Sequence, residues 1–172
     1  MEKIKELVIP RINTKKLIQF SALLGIATVA PILLSHQQII SGPIVNATLM
    51  ISVVLLGTES AILVGLVPSI IALSVGLLPV VLAPMIPFIM LSNVVLVIVF
   101  GCIYKKNYWT GLISASVVKF LFLFTTSSVV INLLIKTELA KQVGLIMSWP
   151  QLLTALAGGI LAFGFLKIIK RV

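Results

Sequence analysis

The chain has 172 residues, of which 60% are hydrophobic and only 10% are charged. A water-soluble domain of that composition has too few polar side chains to cover its apolar surface, so a soluble globular fold is excluded. Thirteen Lys and Arg stand against four acidic residues, and the net charge is +9. Because the basic residues flank apolar segments, membrane orientation explains this charge, and nucleic-acid binding is not needed to explain it.

The chain opens with MEKIKELVIPRINTKK, residues 1–16, in which Ile4, Leu7 and Val8 are spaced as on one face of a helix. This pattern favours a short amphipathic lead-in on the inner membrane surface, although a frayed terminus fits equally well. The apolar run LIQFSALLGIATVAPILL follows it. This run exceeds the about 7–15 apolar residues of a signal peptide, so we interpret it as a retained first span.

Further apolar runs can be counted against the about 20 residues that a membrane-spanning helix needs. The sequence predicts six spans: 17–34, 43–57, 59–78, 83–104, 109–135 and 145–166. The second and third are separated only by GTES, and we expect a tight hairpin there, since an unbroken run would be far too long for one span. The prediction is an all-α integral membrane bundle forming one transmembrane domain over 1–172, with a tail at 167–172.

Orientation follows from the basic residues, because cytoplasmic loops carry the excess of Lys and Arg. With six spans, both termini lie on one side, and we expect that side to be the cytoplasm. The basic residues expected there are Lys3, Lys5, Arg11, Lys15, Lys16, Lys105, Lys106, Lys167, Lys170 and Arg171. Only Lys136 and Lys141 would lie outside. Five or seven spans would separate the two basic termini, so the charge distribution supports six.

The fifth span, LISASVVKFLFLFTTSSVVINLLI, contains one lysine, Lys119, in an otherwise uncharged run. At about 1.5 Å per residue, Lys119 lies about 15 Å from the inner end of its span, near the membrane midplane. Asn93 lies about 14 Å from the outer end of the fourth span, at nearly the same depth. Because the two depths are nearly equal, we expect both side chains in one polar layer. Polar and ionisable residues are costly at this depth and are therefore candidates for a binding site.

Other polar residues concentrate in the outer half of the bundle and predict a pocket open to the exterior, covered by the loop SHQQIISG. The candidate substrate-binding residues are Lys119, Asn93, Asn46, Gln37, His36, Thr126, Asn132, Trp149 and Gln151. Structural alternatives remain open for each type. The hydroxyls can bond to their own backbone, the Asn side chains can join helices, His36 can be solvated, Trp149 can anchor the interface, and Lys119 can face lipid or bond to carbonyls.

Enzyme chemistry is disfavoured by what the chain lacks. There is no Asp, one His and one Cys, so neither a metal site nor a catalytic set is indicated, and we expect no catalytic residue, metal or cofactor. A phosphate-binding glycine motif is also missing, so we expect no ATP hydrolysis by this chain. No acidic residue is predicted near the midplane to couple an ion. Energy for uphill transport would then come from another polypeptide.

The stretch SGPIVNATLMISVVLLGTESAILVGLVPSIIALSVGLLP, followed by APMIPFIMLSNVVLVIVF and preceded by KKLIQFSALLGIATVA, resembles the S components of energy-coupling factor (ECF) transporters over residues 15–104. The resemblance implies a subunit in a prokaryotic cell membrane that binds a vitamin, a vitamin precursor or a metal ion from outside. It implies as partners a coupling transmembrane subunit and two ATPase subunits. The family's binding pocket lies on the outer side, under the loop after the first helix.

In that family, small residues on the first helix pack against the coupling subunit, often as an alanine-x-x-x-alanine pair. The corresponding positions here are Ser21, Ala22, Gly25 and Ala30, and Ile26 breaks the strict pair. Small residues four apart still permit close helix approach. Lys119 indicates a carboxylate or other anion as ligand, and the lack of a His-rich or acidic cluster argues against nickel or cobalt.

The sequence thus predicts a membrane-embedded subunit that binds a small micronutrient for uptake and depends on partner ATPases. A stand-alone small channel or facilitator, in which an oligomer lines a pore with the polar layer, is the alternative. A membrane scaffold without a ligand is a third hypothesis. The three differ in whether ATPase subunits co-purify and whether the isolated chain binds a ligand tightly.

Overall fold

The computed structural model describes residues 13–34, 38–74, 80–134 and 143–172, and most of these residues are helical. The helices are α1 (Thr14–Leu33), α2 (Gln38–Leu56), α3 (Thr58–Ser74), α4 (Ile86–Ile103), α5 (Tyr108–Leu134) and α6 (Trp149–Ile168). A 3₁₀ helix, Val80–Met85, precedes α4, and one helical turn at 143–146 precedes α6. The described residues contain no strand, which confirms the predicted all-α class.

Five of the six helices are long and apolar enough to cross a membrane, and they identify a multi-pass membrane protein. The exception is α3, which is equally apolar but has 17 residues in its described part. Large apolar side chains also cover the outside of the bundle, among them Leu63, Leu91 and Leu121. In water this surface would be unstable, whereas in a bilayer it faces acyl chains.

All six helix starts differ from the predicted boundaries by one to five residues, and the differences at α1 and α2 have identifiable causes. α1 begins at Thr14, because the Asn13 side chain accepts hydrogen bonds from the backbone N–H groups of Lys15 and Lys16 and caps the helix. α2 begins at Gln38, so the second half of the predicted loop SHQQIISG is helical and Pro43 lies inside the helix instead of at its start. Proline is tolerated there because neighbouring groups in a helical membrane bundle can compensate for its missing N–H. The predicted lead-in up to residue 12 lies outside the described residues.

The hairpin predicted at GTES is confirmed, since α2 ends at Leu56 and α3 begins at Thr58. Gly57 joins the two helices with φ of 92°, a left-handed conformation that side chains with a Cβ rarely adopt. Glu59 is exposed in the first turn of α3, as expected of a turn residue. A one-residue connection therefore folds α3 directly back along α2.

α2 is the central helix and packs against α1, α3, α4 and α6, while α5 packs against α4 and α6. Two buried apolar clusters fill the bundle, and we name them inner and outer after the predicted orientation, with the inner side being that of the chain termini. The inner cluster draws residues from all six helices, including Leu49, Leu96 and Leu112. The outer cluster is smaller and joins the start of α4, the outer half of α5 and the segment before α6, through residues that include Met85, Leu123 and Met147.

The contact between α2 and α6 depends on Gly158, which brings the two backbones together. A Cβ built at Gly158 would lie 2.6 Å from the Pro43 carbonyl oxygen and 2.7 Å from the Asn46 Cβ. Neither neighbour is a flexible side-chain end that can move away. Glycine at this position therefore sets the spacing of α2 and α6 and, through it, the position of Asn46.

We predict that Gly158→Ala lowers the free energy of unfolding by about 1–3 kcal/mol, because overpacking forces the two backbones apart. The measurement is equilibrium unfolding of the purified chain in mixed detergent micelles. Gly164→Ala, also on α6, is the matched control, because nothing lies within 4 Å of a Cβ built there. Equal stability of the two variants would contradict the proposed role of Gly158.

Candidate functional site

Lys119 is buried in the middle of α5 and is 3% exposed. Its Nζ donates hydrogen bonds to the Asn46 Oδ1 of α2 at 2.7 Å and to the Asn93 Oδ1 of α4 at 2.8 Å. We call these three residues the polar cluster. The shared layer of Lys119 and Asn93 that their depths predicted is thereby confirmed, and Asn46 joins it.

The polar cluster lies at the boundary of the two apolar clusters. Along α5, Leu112 and Ala115 belong to the inner cluster and Leu123 to the outer one, with Lys119 between them. α4 repeats the pattern, since Asn93 separates Ile89 of the outer cluster from Leu96 of the inner one. Helical periodicity places these residues on one inward face, so the lysine enters the core because its neighbours at i−4 and i+4 do.

A fourth helix is tied to the cluster through the side-chain amide of Asn93. Its Nδ2 donates a hydrogen bond to the Gly65 carbonyl oxygen of α3 at 3.2 Å. Gly65 allows this approach, because a Cβ there would lie 3.4 Å from the Asn93 Cβ and 3.3 Å from a Leu49 methyl group. The sequence reasoning missed Gly65, and the only signal for it was a glycine inside an apolar span.

The cluster holds a positive charge without a carboxylate. Within the described residues, both acceptors of the Lys119 ammonium are neutral amide oxygens, and Glu59, the one acidic residue in these ranges, is exposed at the start of α3. An ammonium can donate three hydrogen bonds, and acceptors among the described residues take only two from Lys119. A buried, uncompensated cation is costly, so this arrangement favours binding of an anion.

One turn before Lys119 on the same helix, Ser116 is fully buried, and its Oγ has no hydrogen-bond partner among the described residues. Several other buried hydroxyls of the described chain bond to backbone carbonyls, as Ser52 does to Thr48. A buried hydroxyl without a partner loses about 1–3 kcal/mol of solvation. The sequence reasoning did not single out Ser116, although its position three residues from a buried lysine was a usable signal.

Within the described part of the chain, no hydrogen bond joins Thr126, Gln151 or Trp149 to the polar cluster. The Thr126 Oγ1 donates to the Phe122 carbonyl oxygen at 2.7 Å, within its own helix. The Gln151 Nε2 donates to the Ile146 carbonyl oxygen at 3.2 Å. Trp149 is 59% exposed at the start of α6, as an interface anchor would be.

Three further candidates fall partly or wholly outside the described residues. His36 and Gln37 belong to the undescribed segment between α1 and α2. Asn132 lies in the last turn of α5, but its side chain is outside the description. Their predicted role in covering and lining the pocket therefore stays a prediction.

The predicted docking residues lie on α1, on a face that the other described helices leave open. Ser21 and Ala22 are exposed, and Gly25 and Ala30 are half-buried. A Cβ built at Gly25 would meet nothing within 4 Å. Unlike Gly158, Gly25 is thus not required by packing within the chain, and it leaves a shallow depression on the helix surface.

The chain matches a family model described as ECF transporter, substrate-specific component, over residues 15–170. The matched range includes α5 and α6, which the resemblance seen in residues 15–104 did not cover. Searches among curated proteins and solved structures found no match.

We predict energetic coupling between Lys119 and Asn46. Asn46→Leu should lower the free energy of unfolding by about 2–3 kcal/mol, since it leaves a buried ammonium short of an acceptor. The double variant Lys119→Met/Asn46→Leu should lose less than the sum of the single losses, by about 0.5–3 kcal/mol. Equilibrium unfolding in mixed micelles measures all three variants.

The control pairs Asn46→Leu with Lys106→Met, which removes an exposed lysine from the turn after α4. Those two effects should add, because distant residues without shared partners do not couple. Additivity of the Lys119 and Asn46 variants would show that their hydrogen bond contributes nothing to the fold.

Proposed function

Because the chain belongs to the substrate-specific components of ECF transporters, we propose that it binds a small anionic micronutrient through Lys119 for uptake into the cell. The substrate class is a vitamin, a vitamin precursor or a similar compound that carries a carboxylate or another anionic group. Family membership favours this function over a stand-alone channel. The observation that supports this proposal is the buried Lys119 ammonium. Within the described residues it donates hydrogen bonds to two neutral oxygens and to no carboxylate.

The substrate's anionic group would accept the third hydrogen bond of the ammonium. A charge-assisted bond in a low-dielectric interior is shorter and stronger than a neutral one, so this contact would supply both affinity and selection for anions. The Asn46 and Asn93 oxygens hold the ammonium in place beforehand, which reduces the ordering cost of binding. Ser116, with its unpaired hydroxyl, offers a second donor one turn away.

Access to Lys119 requires movement at the outer end of the bundle, since the ammonium is nearly fully enclosed. The side chains above it belong to the outer apolar cluster, which joins α4, α5 and the segment before α6. Separation of these elements would expose the polar cluster to the exterior. His36, Gln37, Asn132, Thr126, Trp149 and Gln151 would line or cover the path at this end.

We further propose that both termini lie in the cytoplasm of a prokaryotic cell and that transport is driven by two partner ATPases through a coupling transmembrane subunit. The bias of basic residues toward the two ends of the chain supports this orientation. The open α1 face formed by Ser21, Ala22, Gly25 and Ala30 would receive the coupling subunit. Small residues there allow the partner helix to approach closely.

The substrate prediction is tested first by mass spectrometry of the small molecules that co-purify with the chain. We expect a compound with an anionic group, and isothermal titration of that compound should show affinity reduced roughly tenfold to a hundredfold in Lys119→Met. The factor follows from a charge-assisted hydrogen bond of about 1.5–3 kcal/mol. Lys106→Met is the matched control, with unchanged affinity.

Ser116→Ala separates binding from folding. Its hydroxyl has no partner to lose in the free protein and is buried at a cost in solvation, so stability should hold or rise while affinity falls. Full affinity in Lys119→Met, or a co-purified ligand without negative charge, would rule out Lys119 as the anion-binding group.

The partner prediction concerns Gly25. Gly25→Leu should leave the stability of the isolated chain nearly unchanged, because nothing lies within 4 Å of a Cβ built there, yet reduce co-purification of the coupling and ATPase subunits at least tenfold. Gly164→Leu, equally open but on α6, should retain the partners. Undiminished co-purification with Gly25→Leu would remove the α1 face from the proposed interface.

A further inference from the structure

A groove of about 440 Å³ runs along α1 at the end of the bundle where the described chain begins and ends. The start of α1, the end of α2 and the end of α6 form its walls. Three of its lining residues are polar or cationic: Lys15, Gln19 and Arg171. The others are apolar and include Ile26, Leu55 and Phe165.

The polar and apolar parts of the groove are segregated along the helix. Lys15 and Gln19 lie in the first turns of α1, and Arg171 follows the end of α6, so the charges gather at one end. From Lys15 to Ile26 the groove extends about 16 Å along α1, which is about half of the 30 Å hydrocarbon core of a bilayer. A charged rim above an apolar channel of one leaflet's depth matches the shape of a phospholipid.

Arg171 is held at the groove by the way α6 ends. The Arg171 N–H donates to the Leu166 carbonyl oxygen at 2.9 Å, and the Lys170 N–H donates to the Lys167 carbonyl oxygen at 3.1 Å. Lys170 adopts φ of 54°, which turns the chain back over the helix end. Arg171 is therefore fixed by backbone bonds beside α1 and is not part of a free tail.

From these features we infer that the groove binds an anionic phospholipid, with its phosphate at Lys15 and Arg171 and one acyl chain along α1. No acidic residue lines the groove in the described chain; Glu59 lies at the same end but outside the lining. Two cations without a nearby carboxylate select a negative headgroup over a zwitterionic one. This site is separate from the polar cluster and does not depend on the identity of the transported substrate.

The test is native mass spectrometry of the full chain titrated with dioleoyl phosphatidylglycerol and, separately, with dioleoyl phosphatidylcholine. We expect the native chain to retain phosphatidylglycerol preferentially. Lys15→Gln/Arg171→Gln should weaken phosphatidylglycerol binding roughly tenfold to thirtyfold and leave phosphatidylcholine unaffected, since each cation contributes about 1 kcal/mol toward an anionic headgroup. Lys15→Glu/Arg171→Glu should weaken it further.

Lys105→Gln/Lys106→Gln is the matched control, because it removes the same charge from the turn after α4, outside the groove. Equal losses in the control and groove variants, or equal retention of the two lipids by the native chain, would overturn the proposal. The proposal would also be overturned if the groove variant still bound phosphatidylglycerol but no longer co-purified with the coupling subunit. The groove would then be a protein-docking surface. The proposal is supported if the control variant keeps its preference for phosphatidylglycerol and the groove variant loses it.

Discussion

The buried Lys119 ammonium is the interaction around which the rest of the bundle is arranged. A cation near the middle of a membrane is tolerated only when it faces the interior and finds acceptors, and two asparagines on neighbouring helices supply them. Asn93 in turn reaches the backbone of α3, so one charge fixes the relative positions of four helices. In a bundle whose helices meet mostly through apolar contacts, these directional bonds specify register. Under the proposed function the same charge would also contact the solute.

Much of this arrangement was predictable from the sequence because it follows from one-dimensional rules. Span lengths, the GTES hairpin and the shared depth of Lys119 and Asn93 need only helix rise and membrane thickness. Asn46 was identified as a candidate, but its contact with Lys119 depends on how α2 lies against α5, which no spacing in the chain encodes. The predicted second span began at residue 43, whereas α2 begins at Gln38 and Pro43 lies inside it, because a proline can lie inside a helix of a membrane bundle.

The hydroxyls of α5 show a different limit of sequence reasoning. Thr126 and Ser116 both carry a hydroxyl within the same apolar helix, yet Thr126 bonds to its own helix and Ser116 does not. Side-chain rotamer and local packing decide that difference, and both arise only in the folded bundle. Glycines behave likewise, since Gly158 is pressed between backbones and Gly25 faces open space. A glycine in the sequence therefore indicates either a close helix contact or an exposed position. The sequence does not show which of the two applies.

The two apolar clusters differ in size, so the two halves of the bundle are held together by different numbers of buried side chains. All six helices contribute to the inner cluster, whereas the outer one rests on α4, α5 and the segment before α6. Local opening occurs most readily where the fewest buried side chains must separate. We therefore expect local opening in the half of the bundle that holds the outer cluster, while the half with the inner cluster stays closed. Under the proposed function, a solute would enter past the smaller cluster, while the larger cluster would keep the helices in place on the other side of Lys119.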